Sequence, residues 1–378
     1  MGSKDEVAMF DVEYEIDSWI KKAIDWHASD IHIEPEKDSV HIRFRVDGRR
    51  ESVAKVGKVQ QEKVINRIKL LSHIDIGERR IPQDGRWTYA YLDHSYTLRV
   101  STMPTVWGEH IVLRISDPTH RFQGLEALGM PQVVREKLEI VLGKPYGLFL
   151  VTGPTGSGKS STLYTLLSLL NDGSRHIICL EDPVEQELEG VTQVEMNEKS
   201  GLTFVKGLRA ALRQDPDVMM VGEIRDRETA QLAIQAALTG HQVFSTLHTN
   251  TAKVVLERLI DMGVEPFLVK AAVLGAMAQR LVRTPCGHCH GEGPCAYCRS
   301  TGYKGRMGIY EVLLFPEETV NWDHIDQYVY PTLEISAKEA VETGKTTWEE
   351  VKRIGLAGNE MAAINEKSLS AKGDGYSH

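Results

Sequence analysis

The chain has 378 residues, 42% of them hydrophobic, which leaves room for two or three globular domains with substantial cores. Its formal net charge of -9 and pI near 5.9 argue against a non-specific grip on nucleic acid, which needs clustered Lys and Arg facing phosphates, and leave open only a local basic patch. No run reaches the roughly eighteen consecutive apolar residues of a membrane span, and Met1-Gly2-Ser3-Lys4-Asp5 leads into no apolar signal segment, so a cytoplasmic protein that meets membranes only through partners is expected.

Helix-like periodicity covers Asp11 to His27. Apolar and polar residues then alternate at Val40, Ile42, Phe44 and Val46 before Asp47-Gly48, which predicts a strand ending in a tight turn. A helical stretch over Gln60 to Leu71 and β-like runs at Tyr96 to Ser101 and Ile111 to Ile115 make residues 1–117 an α+β domain. Asp117 to Leu125 carries Pro118 and Gly124 without periodicity, so 118–124 is the expected linker and hinge.

From Gly147 the pattern changes to short apolar runs separated by helices: Leu148 to Thr152, Ile177 to Leu180, Val218 to Val221 and Val243 to Leu247. Strands alternating with helices predict an α/β domain over 125–285, with a parallel sheet and functional groups at the carboxyl ends of its strands. A cysteine-rich element follows at 286–303. A mostly helical segment is expected over 304–357, including Leu333 to Val341 and Thr347 to Ile354, and a polar tail over 358–378, with disorder expected from Ser368 to His378.

The residues Gly153-Pro154-Thr155-Gly156-Ser157-Gly158-Lys159-Ser160 match the phosphate-binding loop pattern in full, after one predicted strand and before a helix. Glycines let the backbone wrap closely and aim its N–H groups at phosphates, and the positive end of the following helix adds to the field. Lys159 is expected on the β and γ phosphates of a nucleoside triphosphate and Ser160 on Mg²⁺, with Ser161 beside them in the nucleotide-binding set. Glu223 closes the apolar run at Val218 to Val221, where a carboxylate can polarise the attacking water or hold magnesium through water. Glu181 closes the run at Ile177 to Leu180 as a further acid at that edge, or as a turn acid that caps a helix. His241 and His248 bracket the run at Val243 to Leu247, as sensors of the γ-phosphate or as structural hydrogen-bonding groups.

With these motifs stand Ala28-Ser29-Asp30-Ile31-His32-Ile33-Glu34, Pro82-Gln83-Asp84-Gly85-Arg86, Arg99-Val100-Ser101-Thr102-Met103-Pro104, Leu212-Arg213-Gln214-Asp215-Pro216-Asp217, Gly222-Glu223-Ile224-Arg225-Asp226 and Thr239-Gly240-His241. In this order they resemble the secretion ATPase superfamily of type II secretion, type IV pilus assembly and DNA-uptake pseudopilus systems, from about Ala28 to Val312. The resemblance implies a RecA-like ATPase domain preceded by a small PAS-like α+β domain. It places Glu181 in an "Asp box", Glu223 in the Walker B element, and His241 and His248 in a "His box". It also implies a hexameric ring with nucleotide between the two domains, a polytopic inner-membrane platform protein as partner, and arginines reaching in as fingers. Arg86 and Arg99 match the N-terminal finger positions, and Arg209 and Arg213 match basic positions in the ATPase domain; a surface ion pair is the plainer role for any one of them. A conjugation-type DNA-translocating motor and a nucleotide switch with little turnover are the competing functions.

Cys286, Cys289, Cys295 and Cys298 form two C-x-x-C pairs, a pattern that in a cytosolic chain suits structural Zn²⁺ on four thiolates. A site using His288 or His290, or no stable metal, are the alternatives. The resembling extension and secretion members carry two such pairs and the retraction members generally lack them, which favours an assembly motor. Only five residues, His290 to Pro294, separate the pairs here, which is short for closing both on one metal. Many assembly members have a further N-terminal domain, whereas this chain starts almost directly with the helix before Asp30, as a short branch or a trimmed chain would.

Overall fold

The computed structural model describes residues 10–116, 124–316 and 320–356. The expected hinge lies outside them, apart from Gly124 and Leu125, as does the expected polar tail. The described residues form two compact units, divided between residues 121 and 122.

The first unit opens with α1 (Val12–Asp25), whose N-cap Asp11 accepts hydrogen bonds from the N–H groups of Glu13 and Tyr14. It continues through β1 (Asp30–Pro35), β2 (Ser39–Val46), β3 (Arg49–Gly57), α2 (Gln61–Leu71), β4 (Gln83–Tyr91), β5 (His94–Thr105) and β6 (Gly108–Ser116). The strands form one sheet in the order β3-β2-β1-β6-β5-β4, antiparallel throughout. Asp47 and Gly48 both have positive φ, 49° and 80°, which turns β2 tightly into β3. Alternation along β2 sends Val40, Ile42, Phe44 and Val46 into a core shared with Trp19, Ile20 and Ile68.

The other face of this sheet is polar and carries one continuous row. Arg50 pairs with Arg45, Arg45 with Asp30, Asp30 with Arg114, Arg114 with Arg99, and Arg99 with Arg86. Five guanidinium groups thus cross all six strands side by side, with the buried Asp30 carboxylate between Arg45 (3.6 Å) and Arg114 (3.2 Å).

The second unit contains α3 (Gln132–Leu142), β7 (Gly147–Thr152), α4 (Lys159–Leu170), β8 (Ile177–Glu181), β9 (Thr192–Glu195), α5 (Phe204–Ala211), β10 (Val218–Val221) and α6 (Arg227–Leu238). Then come β11 (Gln242–Leu247), α7 (Val254–Asp261), α8 (Pro266–Ala272), β12 (Val273–Pro285), β13 (Tyr303–Leu314), α9 (Leu333–Glu342) and α10 (Trp348–Arg353). Its sheet runs β13-β12-β7-β11-β10-β8-β9, parallel from β12 to β9, with β13 antiparallel at the edge. Hydrophobic clusters cover both faces, so β7, β8, β10 and β11 are buried along their whole length; β7, β8 and β10 read as near-continuous apolar runs, while β11 carries Ser245 and Thr246 within its own.

The segment after Cys298 corrects the expectation of a mostly helical region. Tyr303–Leu314 is a strand paired with β12 along nearly its whole length, and α-helix resumes only at Leu333. α10 is fastened to this hairpin by Glu350, 1% exposed, which accepts from Arg283 Nε (3.0 Å), Arg283 Nη2 (2.6 Å), the Arg283 N–H (3.1 Å) and Arg353 Nε (2.9 Å). Burial alone would raise the Glu350 carboxyl, but the hydrogen bonds from Arg283 and Arg353 outweigh it and hold it at about 2, down from 4.5. Glu350→Ala leaves Arg283 buried without its partner and is expected to cost about 3–5 kcal/mol in a denaturant titration. Because the folded pKa is depressed, the contribution of this group is complete above pH 4.5 and is lost as pH falls toward 2. The stability difference between wild type and variant should therefore shrink across that window.

Candidate functional site

β7 delivers the chain into the loop 153–158, and α4 begins at Lys159. Gly153, Gly156 and Gly158 have φ of 146°, 75° and 89°, a region closed to most side chains. At Gly153 a Cβ would also meet the Gln279 carbonyl oxygen at 2.5 Å and Ser157 Oγ at 2.7 Å. Leu163, Leu166, Leu167 and Leu170 bury one side of α4, which fixes the direction in which its first turn points.

Lys159 Nζ donates to the carbonyls of Gly153 (3.0 Å) and Pro154 (3.2 Å), so the ammonium lies along the loop. Burial lowers its pKa, and the Glu223 carboxylate acts in the opposite direction. Ser160 and Ser161 follow it, exposed, on the first turn of α4. Glu223, just past β10, pairs closely with Arg225 and lies 3.6 Å from His248 Nε2. The ends of β10 and β11 are tied together by Thr246 Oγ1 donating to the Gly222 carbonyl (2.7 Å) and Ser245 Oγ donating to the Val221 carbonyl (2.6 Å). Lys159, Ser160, Glu223 and His248 thus share the carboxyl-terminal edge of the sheet.

Glu181 lies at that edge but faces inward. It is buried, accepts from Gln193 Nε2 (2.9 Å) and in a close contact from the Tyr164 hydroxyl, and burial raises its carboxyl above the usual range. Tyr164 stands one turn into α4, so this acid fastens the helix that follows the loop.

Two residues of the expected set stand elsewhere in the unit. His241 precedes β11 and is held by the C-terminal turn of α6, with Nδ1 2.9 Å from the Ala236 carbonyl. His248 follows the same strand, so the two histidines are roughly 20 Å apart along it. Arg213 lies beyond α5 and donates to the Arg209 carbonyl (2.7 Å), while Arg209 pairs with Glu228. The loop after Arg213 meets His176 at the start of β8, through Asp217 N–H to the His176 carbonyl (2.9 Å). Arg213 and His241 therefore belong to the amino-terminal edge of the sheet. Arg86 and Arg99 are neighbours on the arginine row of the first unit.

Gln279 and Arg280 were not foreseen. Gln279, 2% exposed on β12, donates through Nε2 to the Ser157 carbonyl (2.6 Å) and accepts from Thr162 Oγ1 (2.9 Å). One amide thereby locks the nucleotide loop to the helix after it. Arg280 Nη2 donates to the Asn250 carbonyl (2.8 Å), just past His248. Their signal was two polar residues inside the apolar run Val273 to Val282.

The four cysteines cap the far end of the β12–β13 hairpin. Their Sγ atoms lie within 4.8 Å of one another, so the five-residue spacer closes both pairs on one centre after all. Cys286 N–H donates to the Gly302 carbonyl (2.8 Å), and the N–H groups of Gly291 and Gly302 point at the sulfurs of Cys289 and Cys298. Four convergent thiols with amides on their sulfurs fit a tetrahedral metal ion. His288 instead packs against Tyr297, with ring centroids 3.9 Å apart and the planes tilted by 41°.

A family model described as "Type II/IV secretion system protein" matches residues 6–353. The chain is 44% identical over 371 residues to type II secretion system protein E of Dickeya dadantii (strain 3937), covering 90% of this chain and 74% of that one. It is 41% identical over 373 residues to type II secretion system ATPase E of Vibrio cholerae serotype O1, with the same coverage of 90% and 74%. Among solved structures, the pilus retraction motor PilT with bound ADP aligns at a TM-score of 0.63 and 27% identity, over 91% of this chain and 98% of that one. The ATPase DotB of Legionella pneumophila aligns at a TM-score of 0.71 and 24% identity, over 93% and 97%, a likeness of fold. No helix among the described residues is long and apolar enough to cross a membrane. The chain belongs to the type II/IV secretion system protein family and is an ATP hydrolase of its secretion and pilus-assembly motors.

Proposed function

We propose that the chain works in the cytoplasm as a ring of six copies, hydrolysing ATP to drive pilin or pseudopilin assembly, or type II secretion, through a polytopic inner-membrane platform protein. The observation that carries the ring is the separation of Arg213 and His241 from Lys159 and Glu223 by the length of a strand. Groups so far apart cannot serve one nucleotide, so the first two act on a nucleotide held by a neighbouring copy. Arg86 and Arg99 supply further guanidinium groups from the arginine row. A guanidinium beside the γ-phosphate stabilises the charge that spreads over its oxygens as the bond to the leaving group loosens.

Within one copy, the backbone N–H groups of Gly153 to Ser161 wrap the phosphates and Lys159 binds the β and γ groups. The Ser160 hydroxyl would hold Mg²⁺, which when bound neutralises charge on the phosphate oxygens. Glu223 orients the attacking water and accepts its proton, with Arg225 and His248 fixing the carboxylate. Glu181, through Tyr164, positions α4.

Mixing tests the ring. Arg213→Ala and Lys159→Ala chains should each be inactive alone, yet a mixture should recover a measurable fraction of wild-type turnover. An intact loop from one copy then meets an intact arginine from the next. If mixed rings form by analytical ultracentrifugation and no activity returns, the shared site is wrong.

The tetracysteine centre takes Zn²⁺ in a structural role, since four thiolates leave no open position for chemistry. Cobalt placed there should show intense thiolate-to-metal charge-transfer absorption, weakened by roughly a quarter in Cys298→Ser, where three of the four thiolates remain. Removing the metal should lower the melting temperature by several degrees, each kcal/mol lost corresponding to about 2–4 °C in a folding unit of roughly 250 residues. A charge-transfer band of undiminished intensity in Cys298→Ser would rule out the four-thiolate centre.

A further inference from the structure

On the polar face of the first unit's sheet, β1 places His32 and Glu34 two residues apart and therefore on the same side. His110 stands on the adjacent β6, one step beyond the Ile33–Ile111 pair. One ligand atom from each of the three lies within 4.8 Å of the other two, and the rings of His32 and His110 stack 6.0 Å apart, only 20° from parallel.

The hydrogen bonding of this group is incomplete. His32 is 9% exposed, and neither of its ring nitrogens has a partner among the described residues; His110 Nε2 has none among them either. A neutral imidazole presents one donor and one acceptor, and leaving them buried and unmet carries the full cost of their desolvation. Glu34 is held in place: Arg50 donates to Oε1 (2.8 Å) and Arg43 to Oε2 in a close contact. Each carboxylate oxygen keeps a further lone pair.

We propose that His32, Glu34 and His110 bind a divalent transition-metal ion, with Zn²⁺ as the fitting chemistry, at a site separate from the four cysteines. Burial depresses both imidazoles, so each is neutral near pH 7 with a lone pair to give. The guanidinium groups on Glu34 offset its charge, which disfavours Mg²⁺ or Ca²⁺, held by oxygen and charge, and favours an ion held by imidazole. Metal bonds of about 2.0–2.2 Å draw the three groups together by a small rotation of the rings. Three protein ligands leave a fourth position for water.

The test titrates the full, metal-stripped chain with Co²⁺. Cobalt on thiolates gives intense charge-transfer bands, whereas cobalt on two imidazoles and a carboxylate gives only weak visible absorption. The expected result is a bound equivalent, counted by equilibrium dialysis, that adds no charge-transfer intensity. His32→Gln and His110→Gln should weaken that equivalent by about tenfold or more and leave the thiolate bands unchanged. His110 is only half-buried, so its variant keeps the test decisive if His32→Gln does not fold. Binding of the thiolate equivalent alone overturns the proposal, as does a silent equivalent that persists undiminished in folded His110→Gln.

Discussion

Lys159→Ala should lose ATP hydrolysis by a factor on the order of 10²–10³ or more while the chain keeps its fold and melting temperature. The side chain lies along the loop, donating to two carbonyls of that loop, and supports no part of either hydrophobic cluster of its unit. Its removal therefore costs little in packing. What it takes away is a positive charge that moves with the γ-phosphate as charge builds on the transferring group, so the loss falls on kcat more than on stability. Phosphate release under saturating Mg²⁺ and ATP, read beside a thermal melt, separates the two effects. A variant that melts with the wild type and still turns over at more than a tenth of its rate would show that the loop is not where hydrolysis occurs.

Glu223→Gln should lower kcat by about 10²–10⁴-fold yet leave nucleotide binding nearly intact. Glutamine keeps the shape of the side chain and the contacts that Arg225 and His248 make with it, but it cannot accept a proton from water. Loss of the negative charge facing Lys159 would, if anything, strengthen attraction for the phosphates. Titration with a fluorescent nucleotide together with single-turnover hydrolysis gives both quantities on one sample. Unchanged turnover would move the base elsewhere, and His248, 3.6 Å away, would be next to examine.

The parts legible in the sequence were those in which local pattern and tertiary environment agree. β7, β8, β10 and β11 are short, wholly buried and bounded by polar residues, so their apolar runs mark them directly. The loop at Gly153 to Ser160 is legible because its conformation demands glycine at fixed positions. β3 and β4 escaped because an edge strand with one wet face, such as Arg49–Gly57, carries charges or small polar residues at many positions and few large apolar ones to mark an alternation. β12 escaped because Ala276, Met277 and Ala278 favour helix locally, and only pairing with β7 and β13 makes them strand. Glu223 and His248 were recognised and stand together, whereas His241 and Arg213 were grouped with them by motif alone. Sequence order tells which end of its own strand a residue flanks, but the parallel pairing of β7, β11, β10 and β8 is what puts His241 and Arg213 on the edge of the sheet opposite Lys159 and Glu223.

β12 also works as a beam. Gln279 grips the nucleotide loop, and Cys286, seven residues further along the same chain, is one of the four sulfurs at the tip. An extended strand paired on one side or both resists both stretching and shear, so a push at the tip of the hairpin arrives at the loop with little loss. The four-cysteine cluster thus stands at the free end of a lever whose short arm is the phosphate cradle. The tip of the hairpin and the phosphate cradle are thereby two points on one strand.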